Sequence, residues 1–211
     1  MYPVRTPATA LLKLMLPDIC WHYPRNEKSI FLTFDDGPEP EVTPRVLELL
    51  REYDAKATFF CIGHRVELYP QLYRQLLDEG HVTGNHTFSH PKGFRTAHSA
   101  FMQDIKKASD SIRSTLFRPP YGQLTIRAYR QLRSSYHIVM WDVLSGDFDQ
   151  RLEADQVAEQ TIHAIRPGSV VVFHDSLKAA PRMLPALRKV LEHFSKEGYQ
   201  FRAIIKKENH Q

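Results

Sequence analysis

The segment Ser29-Ile30-Phe31-Leu32-Thr33-Phe34 runs directly into Asp35-Asp36-Gly37-Pro38. Its residues are apolar or favour β-structure, so they predict a buried strand at 29–34. Two carboxylates follow the strand, and Gly-Pro then ends it in a turn. In parallel α/β folds the sites of chemistry lie beyond the carboxyl ends of the strands. The stretch therefore predicts acidic groups at the mouth of such a fold, although Asp-Asp-Gly is also ordinary turn chemistry.

Strand-like and helical segments alternate along the rest of the chain. Helices are predicted from Thr43, with Thr43 as the cap and Pro44 in first position, and at 66–79, 98–114, 124–134, 153–165 and 182–195. Strands are predicted at 29–34, 56–62, 81–85, 115–118, 136–141, 169–173 and 199–205. Such alternation predicts a parallel sheet with right-handed crossovers. Because a full eight-unit barrel needs roughly 250 residues, 211 residues favour a reduced barrel, with an open doubly wound sheet as the alternative.

Composition indicates one globular domain, which we place at residues 28–206 behind a lead-in segment at 1–27. The net charge of +4 is mild and the basic residues are scattered, so nucleic-acid binding is not expected. The apolar patch Ala10–Leu16 is too short for a membrane span and is interrupted by Lys13, which favours a short amphipathic helix. It also lacks a cleavage site, so the cytoplasm is the default expectation. A monomer is expected, since no long apolar helix face is left over.

Two histidines, His86 and His90, lie four residues apart directly after the strand predicted at 81–85. They would face the same side if the residues between them formed one helical turn. One carboxylate from Asp35 or Asp36 would complete a three-ligand zinc site with an open position. Neighbours on an extended chain point opposite ways, so we expect one aspartate to bind and the other to be free. The alternative is a chance pair of surface histidines.

Arg118-Pro119-Pro120-Tyr121-Gly122 follows the next predicted strand. Two prolines stiffen the turn and hold the amides of Tyr121 and Gly122, as an oxyanion requires. Arg118 is suited to pair with a buried carboxylate and keep it ionised. The alternative interpretation is an ordinary proline-containing loop.

His174 ends the fully apolar strand predicted at 169–173, a position unlike that of a surface histidine. A carboxylate such as Asp147 beside its ring would orient the imidazole and raise its pKa, which would make it a general acid. The alternative is a structural histidine with satisfied hydrogen bonds.

Taken in order, these motifs closely resemble the polysaccharide deacetylase family, also called the NodB-homology domain or carbohydrate esterase family 4. The resemblance runs from about Ser29 to Phe201 and rests on Thr-Phe-Asp-Asp-Gly, His-Thr-x-x-x-His, Arg-Pro-Pro-Tyr-Gly and the histidine at a strand end. It implies a distorted (β/α)7 barrel with an open groove. It also implies a divalent metal, usually zinc with cobalt as an alternative, and hydrolysis of the N-acetyl group on an amino-sugar glycan.

Carried onto this sequence, the family pattern implies a role for each motif residue. Asp35 would be the general base, and Asp36, His86 and His90 would be the metal ligands. Arg118 would pair with Asp35, and the amide of Tyr121 would serve the oxyanion. His174 would be the general acid, tuned by Asp147.

The chain departs from the family pattern at two positions. Phe148 stands where the family usually has Trp, and Val172 stands where Leu is more frequent. Both changes keep the acyl pocket apolar but alter its shape, which puts the acyl group and the sugar in doubt. Three alternatives therefore stay open: O-acetyl ester cleavage on a sugar, hydrolysis of a small amide or imide, and a carbohydrate-binding barrel without catalysis.

Overall fold

The computed structural model describes Leu16 and residues 18–205. In this part of the chain, eight strands pair side by side into one curled, wholly parallel sheet. The strands are β1 Ser29–Asp35, β2 Thr58–Cys61, β3 Val82–Asn85, β4 Leu116–Phe117, β5 His137–Ile138, β6 Val143–Leu144, β7 Val170–His174 and β8 Gln200–Phe201. Their order is β5-β4-β3-β2-β1-β7-β6, and β8 pairs with β1.

Seven α-helices connect these strands in the described residues. They are α1 Thr43–Glu52, α2 Gly63–Leu68, α3 Pro70–Asp78, α4 His98–Ser111, α5 Ile126–Leu132, α6 Ala154–Ala164 and α7 Ala180–Lys196. The fold is thus an α/β half-barrel of the (β/α)7 type in a single domain, as the family resemblance implied, and the open doubly wound alternative is wrong. Within the described residues, no helix has the length and apolar character needed to span a membrane.

The strand that opens the domain, β1, is the centre of the core. All seven of its residues are buried, because β2 and β7 flank it in the sheet and helices cover it. The ring of Phe34 stacks between those of Phe59 and Phe173, with centroid distances of 5.0 and 6.1 Å. Buried parallel strands of this kind read as continuous apolar runs, which is why 29–34 and 169–173 were recognisable from sequence.

Several predicted element bounds were wrong for local reasons. Thr43 begins α1 but does not cap it, since its hydroxyl instead donates to Asp175. The helix predicted at 66–79 is two helices, because Pro70 disfavours helical backbone at Tyr69 and starts a new helix itself. The helix predicted at 98–114 ends at Ser111. β6 was not predicted, since a two-residue strand carries no readable periodicity.

The strands predicted at 136–141 and 199–205 shorten to the two-residue strands β5 and β8. Part of the lead-in packs on the barrel: the backbone of Cys20 bridges to Val139 and that of His22 to Ser169. The boundary between 1–27 and 28–206 stays a prediction. Of the apolar patch at 10–16, only Leu16 is within the described residues, so the predicted amphipathic helix lies outside them.

Candidate active site

The predicted site residues come together at one end of the barrel because parallel strands end on the same side of a sheet. Asp35 ends β1 directly opposite His174, which ends β7. His86 follows the last residue of β3, and Arg118 follows the last residue of β4. Asp147 lies in the loop after β6. The carboxyl ends of five strands thus supply the polar side chains that line one cavity or, like Arg118 and Asp147, are buried and bond to those that line it.

Three side chains form a cluster with the geometry of a metal site. One ligand atom each from Asp36, His86 and His90 lies within 4.8 Å of the other two. The Oδ1 atom of Asp36 lies 3.9 Å from Nε2 of His86 and 3.3 Å from Nε2 of His90. That oxygen is buried and makes no hydrogen bond. A buried carboxylate oxygen without a partner requires compensation, and a cation between these atoms would supply it.

The protonation of His86 fits the same interpretation. Its Nδ1 bonds the backbone carbonyl of Arg118 at 2.8 Å, which directs Nε2 towards the two aspartates. Burial and the charge of His90 lower the pKa of His86 to about 3, against the opposing effect of Asp36. The pKa of His90 is also lowered, chiefly by burial. Neutral imidazole is the form of histidine that binds metal. Two imidazole nitrogens and one carboxylate oxygen are a donor set that suits zinc.

The loop that carries both histidines is not the helical turn that their spacing suggested. Thr87 and His90 have positive φ angles of 67° and 58°, so the chain makes two left-handed bends instead. Asn85 accepts a hydrogen bond from the amide of Thr87 at 2.8 Å, and the hydroxyl of Thr87 accepts one from the amide of His90 at 3.1 Å. Side-chain acceptors inside the loop thus hold a backbone that propensity alone would not favour.

Asp104 on α4 supports this loop from outside, and sequence reasoning missed it. Its Oδ1 accepts hydrogen bonds from the amides of Phe88 and Ser89 at 2.7 and 3.0 Å, and its Oδ2 accepts one from the hydroxyl of Ser89 at 2.7 Å. No sequence signal pointed to it, because one aspartate on a helix is common.

Asp35 pairs with the fully buried Arg118. One guanidinium nitrogen, Nη1, donates to Oδ1 of Asp35 and to the hydroxyl of Thr33, both at 2.7 Å. The remaining nitrogens donate to backbone carbonyls of Val139 and Met140 at 3.1 and 2.9 Å. All three guanidinium nitrogens therefore donate hydrogen bonds, and a buried charge is tolerated when it is paired and hydrogen-bonded in this way.

Asp35 and Asp36 do not point opposite ways, because Asp36 is not extended. Its φ of 84° is left-handed and turns the chain out of the strand. Oδ2 of Asp35 lies 4.0 Å from Nε2 of His86, so both carboxylates face the same imidazole. Oδ2 of Asp35, which Arg118 does not engage, therefore lies beside the cluster of Asp36, His86 and His90.

The turn after Arg118 is a short 3₁₀ segment, Pro120–Gly122, in which Tyr121 has a φ of 59°. The amide of Gly122 donates to the carbonyl of Pro119 at 3.0 Å, so the turn itself uses that amide. The ring of Tyr121 contacts His90, with centroids 4.7 Å apart, and is 55% exposed at the mouth of the cavity. The sequence singled out the amides of Tyr121 and Gly122. Because the turn uses the amide of Gly122, that of Tyr121 is the candidate that remains.

His174 is held by Asp147 through two bonds. Oδ1 of the carboxylate lies 2.8 Å from Nδ1 of the ring, and Oδ2 accepts the backbone amide of His174 at 2.7 Å. Asp147 is completely buried, and Arg182 donates to its backbone carbonyl at 2.8 Å. Burial lowers the pKa of His174, but the charge and hydrogen bond of Asp147 with the charges of Asp36 and Asp35 outweigh it and raise the pKa to about 10. His174 is therefore protonated at neutral pH.

The cavity that these groups line has a volume of about 690 Å³. Asp35, Asp36, His86, His90 and His174 line it together with apolar side chains. The ring of Phe148 meets that of His174 edge-on, with centroids 5.3 Å apart. Trp141, Leu144, Phe148 and Val172 are among the apolar residues that line the cavity. A groove of this size and character accommodates a small acyl group together with part of a larger molecule.

Asp175 also lines the cavity, and the sequence analysis gave it no role. It is 1% exposed and contacts the turn after β1. Burial raises the pKa of Asp175 to about 8, opposed by the hydrogen bond from Thr43 and assisted by the charge of Asp36. The signal that pointed to it was its position directly after His174 at the end of an apolar strand.

Comparisons with known proteins agree with this geometry. A polysaccharide deacetylase family model matches residues 22–139. The chain is 36% identical to a peptidoglycan-N-acetylglucosamine deacetylase of Bacillus cereus, over 87% of this chain and 89% of the relative. It is 36% identical to a chitooligosaccharide deacetylase of Azorhizobium caulinodans, over 72% of this chain and 75% of the relative.

A solved structure gives the same result at the level of the fold. The crystal structure of the Bc1960 peptidoglycan N-acetylglucosamine deacetylase, in complex with 4-naphthalen-1-yl-N-oxidanyl-benzamide, superimposes with a TM-score of 0.84 at 29% identity. The match covers 89% of this chain and 91% of that one. The motif order, the half-barrel and these matches together establish that the chain belongs to the polysaccharide deacetylase family.

Proposed function

We propose that this protein is a metal-dependent hydrolase that removes N-acetyl groups from an N-acetylglucosamine-containing glycan and releases acetate. The observation that carries the proposal is the juxtaposition of three groups in one cavity. Asp36, His86 and His90 form a cluster that fits a divalent metal. Asp35, which Arg118 holds, and His174, which Asp147 holds, line the same cavity.

Zinc is the proposed metal, held by Oδ1 of Asp36 and Nε2 of His86 and His90. When bound, it supplies a Lewis acid for the acyl carbonyl and acidifies a water molecule towards neutral pH.

Asp35 is the proposed general base. Its Oδ1 is engaged by Arg118 at 2.7 Å, whereas its Oδ2 lies beside the metal cluster, 4.0 Å from Nε2 of His86. Arg118 stays charged beside Asp35 and holds the carboxylate in one orientation.

The backbone N–H of Tyr121 is the proposed donor to the oxyanion that forms on the acyl carbonyl. A stiff turn fixes that amide, so little reorganisation is needed as charge develops. His174 is the proposed general acid, because an amine leaves poorly unless its nitrogen is protonated. Asp147 keeps the proton on Nδ1 and supports the positive ring, so Nε2 is the nitrogen that faces the leaving group.

Acetate release across a panel of glycans tests the proposal. The panel comprises chitin oligomers, peptidoglycan fragments and acetylated xylan, each with zinc or cobalt added. Release from the first two but not from xylan supports N-deacetylation of an amino sugar. Release from xylan alone would replace it by O-acetyl ester cleavage, and no release from any substrate by zinc-loaded protein would favour a carbohydrate-binding barrel.

A further inference from the structure

Asp175 is a buried carboxylate in the cavity for which the proposed reaction has no use. Its Oδ1 accepts the backbone amide of Gly37 at 3.0 Å, and its Oδ2 accepts the hydroxyl of Thr43 at 2.5 Å. Its own amide donates to the carbonyl of Asp35 at 3.1 Å. Three hydrogen bonds therefore join Asp175, directly after β7, to the end of β1 and the segment that follows it.

These bonds hold both ends of the turn that carries Asp36. Gly37 is the next residue after Asp36, and Thr43 begins α1, where its hydroxyl also accepts the amide of Glu39 at 2.8 Å. Asp36 itself has a φ of 84°, a conformation that a residue with a side chain keeps only when its surroundings impose it. The carboxylate of Asp175 accepts the backbone amide of the residue that directly follows that strained one.

The tight packing of Asp175 against this turn also explains why position 37 is a glycine. A Cβ atom on Gly37 would lie 2.1 Å from Oδ2 of Asp175, closer than any real contact. The turn and the carboxylate thus fit each other only because position 37 has no side chain. This close approach fixes the distance between the end of β7 and the chain beside Asp36.

We propose that Asp175 is a positioning residue that sets the metal-binding geometry of Asp36 and ties it to His174. The inference rests on the proposed function, since it takes Asp36 as a metal ligand. Asp175 contacts the turn of the ligand and is bonded covalently to the proposed acid, so a single residue fixes the two sides of the reaction relative to each other. Replacing a residue that orients a metal ligand without itself binding the metal typically lowers metal affinity or activity by about 10–100-fold.

A matched control is available at the other end of the same strand. Asp142 is also buried, accepts the amide of Val170 at 2.8 Å through Oδ1, and accepts the hydroxyl of Ser169 at 3.0 Å through Oδ2. Two of its bonds therefore match those of Asp175 in kind, and Arg25 is an additional partner at 2.9 Å; all of them lie at the amino end of β7, away from Asp36, His86 and His90. A merely structural role predicts similar effects at both positions.

The test is the zinc dissociation constant of purified, metal-stripped protein, measured by competition with a chromophoric chelator. Asp175→Asn keeps one acceptor for Gly37 but turns an amide donor towards the hydroxyl of Thr43, which already accepts the amide of Glu39. We expect zinc binding to weaken by about 10–100-fold in Asp175→Asn and to change less than about twofold in Asp142→Asn. In acetate-release assays at saturating zinc, kcat falls in Asp175→Asn while KM is little changed.

The outcomes separate this inference from the function on which it rests. Wild-type protein that binds no zinc would overturn both. If wild type binds zinc and Asp175→Asn binds it with the same dissociation constant, only the role of Asp175 is overturned. The same holds if Asp142→Asn loses as much zinc affinity as Asp175→Asn. If Asp175→Asn does not fold, Thr43→Val decides, because it removes one donor to the carboxylate and keeps the β-branched shape; unchanged zinc affinity in that variant would contradict the inference.

Discussion

Replacing Asp147 by asparagine is expected to move the alkaline limit of activity to lower pH. Asp147 is completely buried and bonds both Nδ1 and the backbone amide of His174. Its charge and hydrogen bond are the largest effects that oppose burial and raise the pKa of His174 from 6.5 to about 10. Without that charge, burial dominates and the pKa falls towards or below 6.5.

The size of the effect follows from the protonated fraction of the proposed general acid. With a pKa near 10, His174 is almost fully protonated at pH 8, whereas a pKa near 6.5 leaves only about 3% in the acid form. Loss of the acid form alone therefore lowers kcat at pH 8 by about 30-fold. Asparagine can also select the wrong imidazole tautomer, an effect that reaches about 10⁴-fold in serine proteases and would add to this loss.

The assay is the pH profile of kcat for acetate release from an N-acetylated chitin oligomer. Wild type keeps its activity up to high pH, and Asp147→Asn loses it with rising pH from near neutrality. Asp149→Asn is the control, because Asp149 lies two residues away and pairs instead with Arg151 at the surface. An alkaline limit in Asp147→Asn at the same pH as in wild type would refute the reasoning.

Three further predictions follow from the same contacts. Arg118→Met leaves the buried carboxylate of Asp35 without its partner, so denaturant unfolding should show a loss of about 3–5 kcal/mol; a loss below about 1 kcal/mol would contradict the importance of the pair. His174→Ala should keep zinc affinity and lower kcat far more on an N-acetyl than on an O-acetyl substrate, and equal losses on both would argue against its acid role. The raised pKa of His174 stabilises the fold below pH 6.5, and this contribution is lost as pH rises towards 10. In thermal unfolding, the stability advantage of wild type over Asp147→Asn should therefore be larger at pH 6 than at pH 10. An advantage that grew with pH would contradict this prediction.

Much of the site could be predicted because its residues follow recognisable strands. Asp35 and His174 each end an apolar run, and strands that are buried on both faces are the clearest elements in a single sequence. Parallel pairing then places their ends together, so convergence at one cavity followed from the fold class.

What could not be predicted depends on backbone conformation and distant contacts. The left-handed φ angles of Asp36, Thr87 and His90 leave no pattern in the residues themselves, so the histidine spacing suggested a helical turn that does not form. Asp104 and Asp175 act through bonds to amides elsewhere in the chain, and the sequence does not show those bonds, although Asp175 stands at a recognisable strand end. The cap of α1 was misassigned because the hydroxyl of Thr43 has a tertiary partner, Asp175.

The most direct test of the central claim is a zinc titration of metal-stripped protein, followed by acetate release from a chitin oligomer or a peptidoglycan fragment. The cluster of Asp36, His86 and His90 offers one site per chain. Activity should be absent at first, rise in proportion to added zinc and reach its plateau at one zinc per chain. Full activity in metal-stripped protein, or a protein that binds one zinc and releases no acetate from either glycan, would contradict the account.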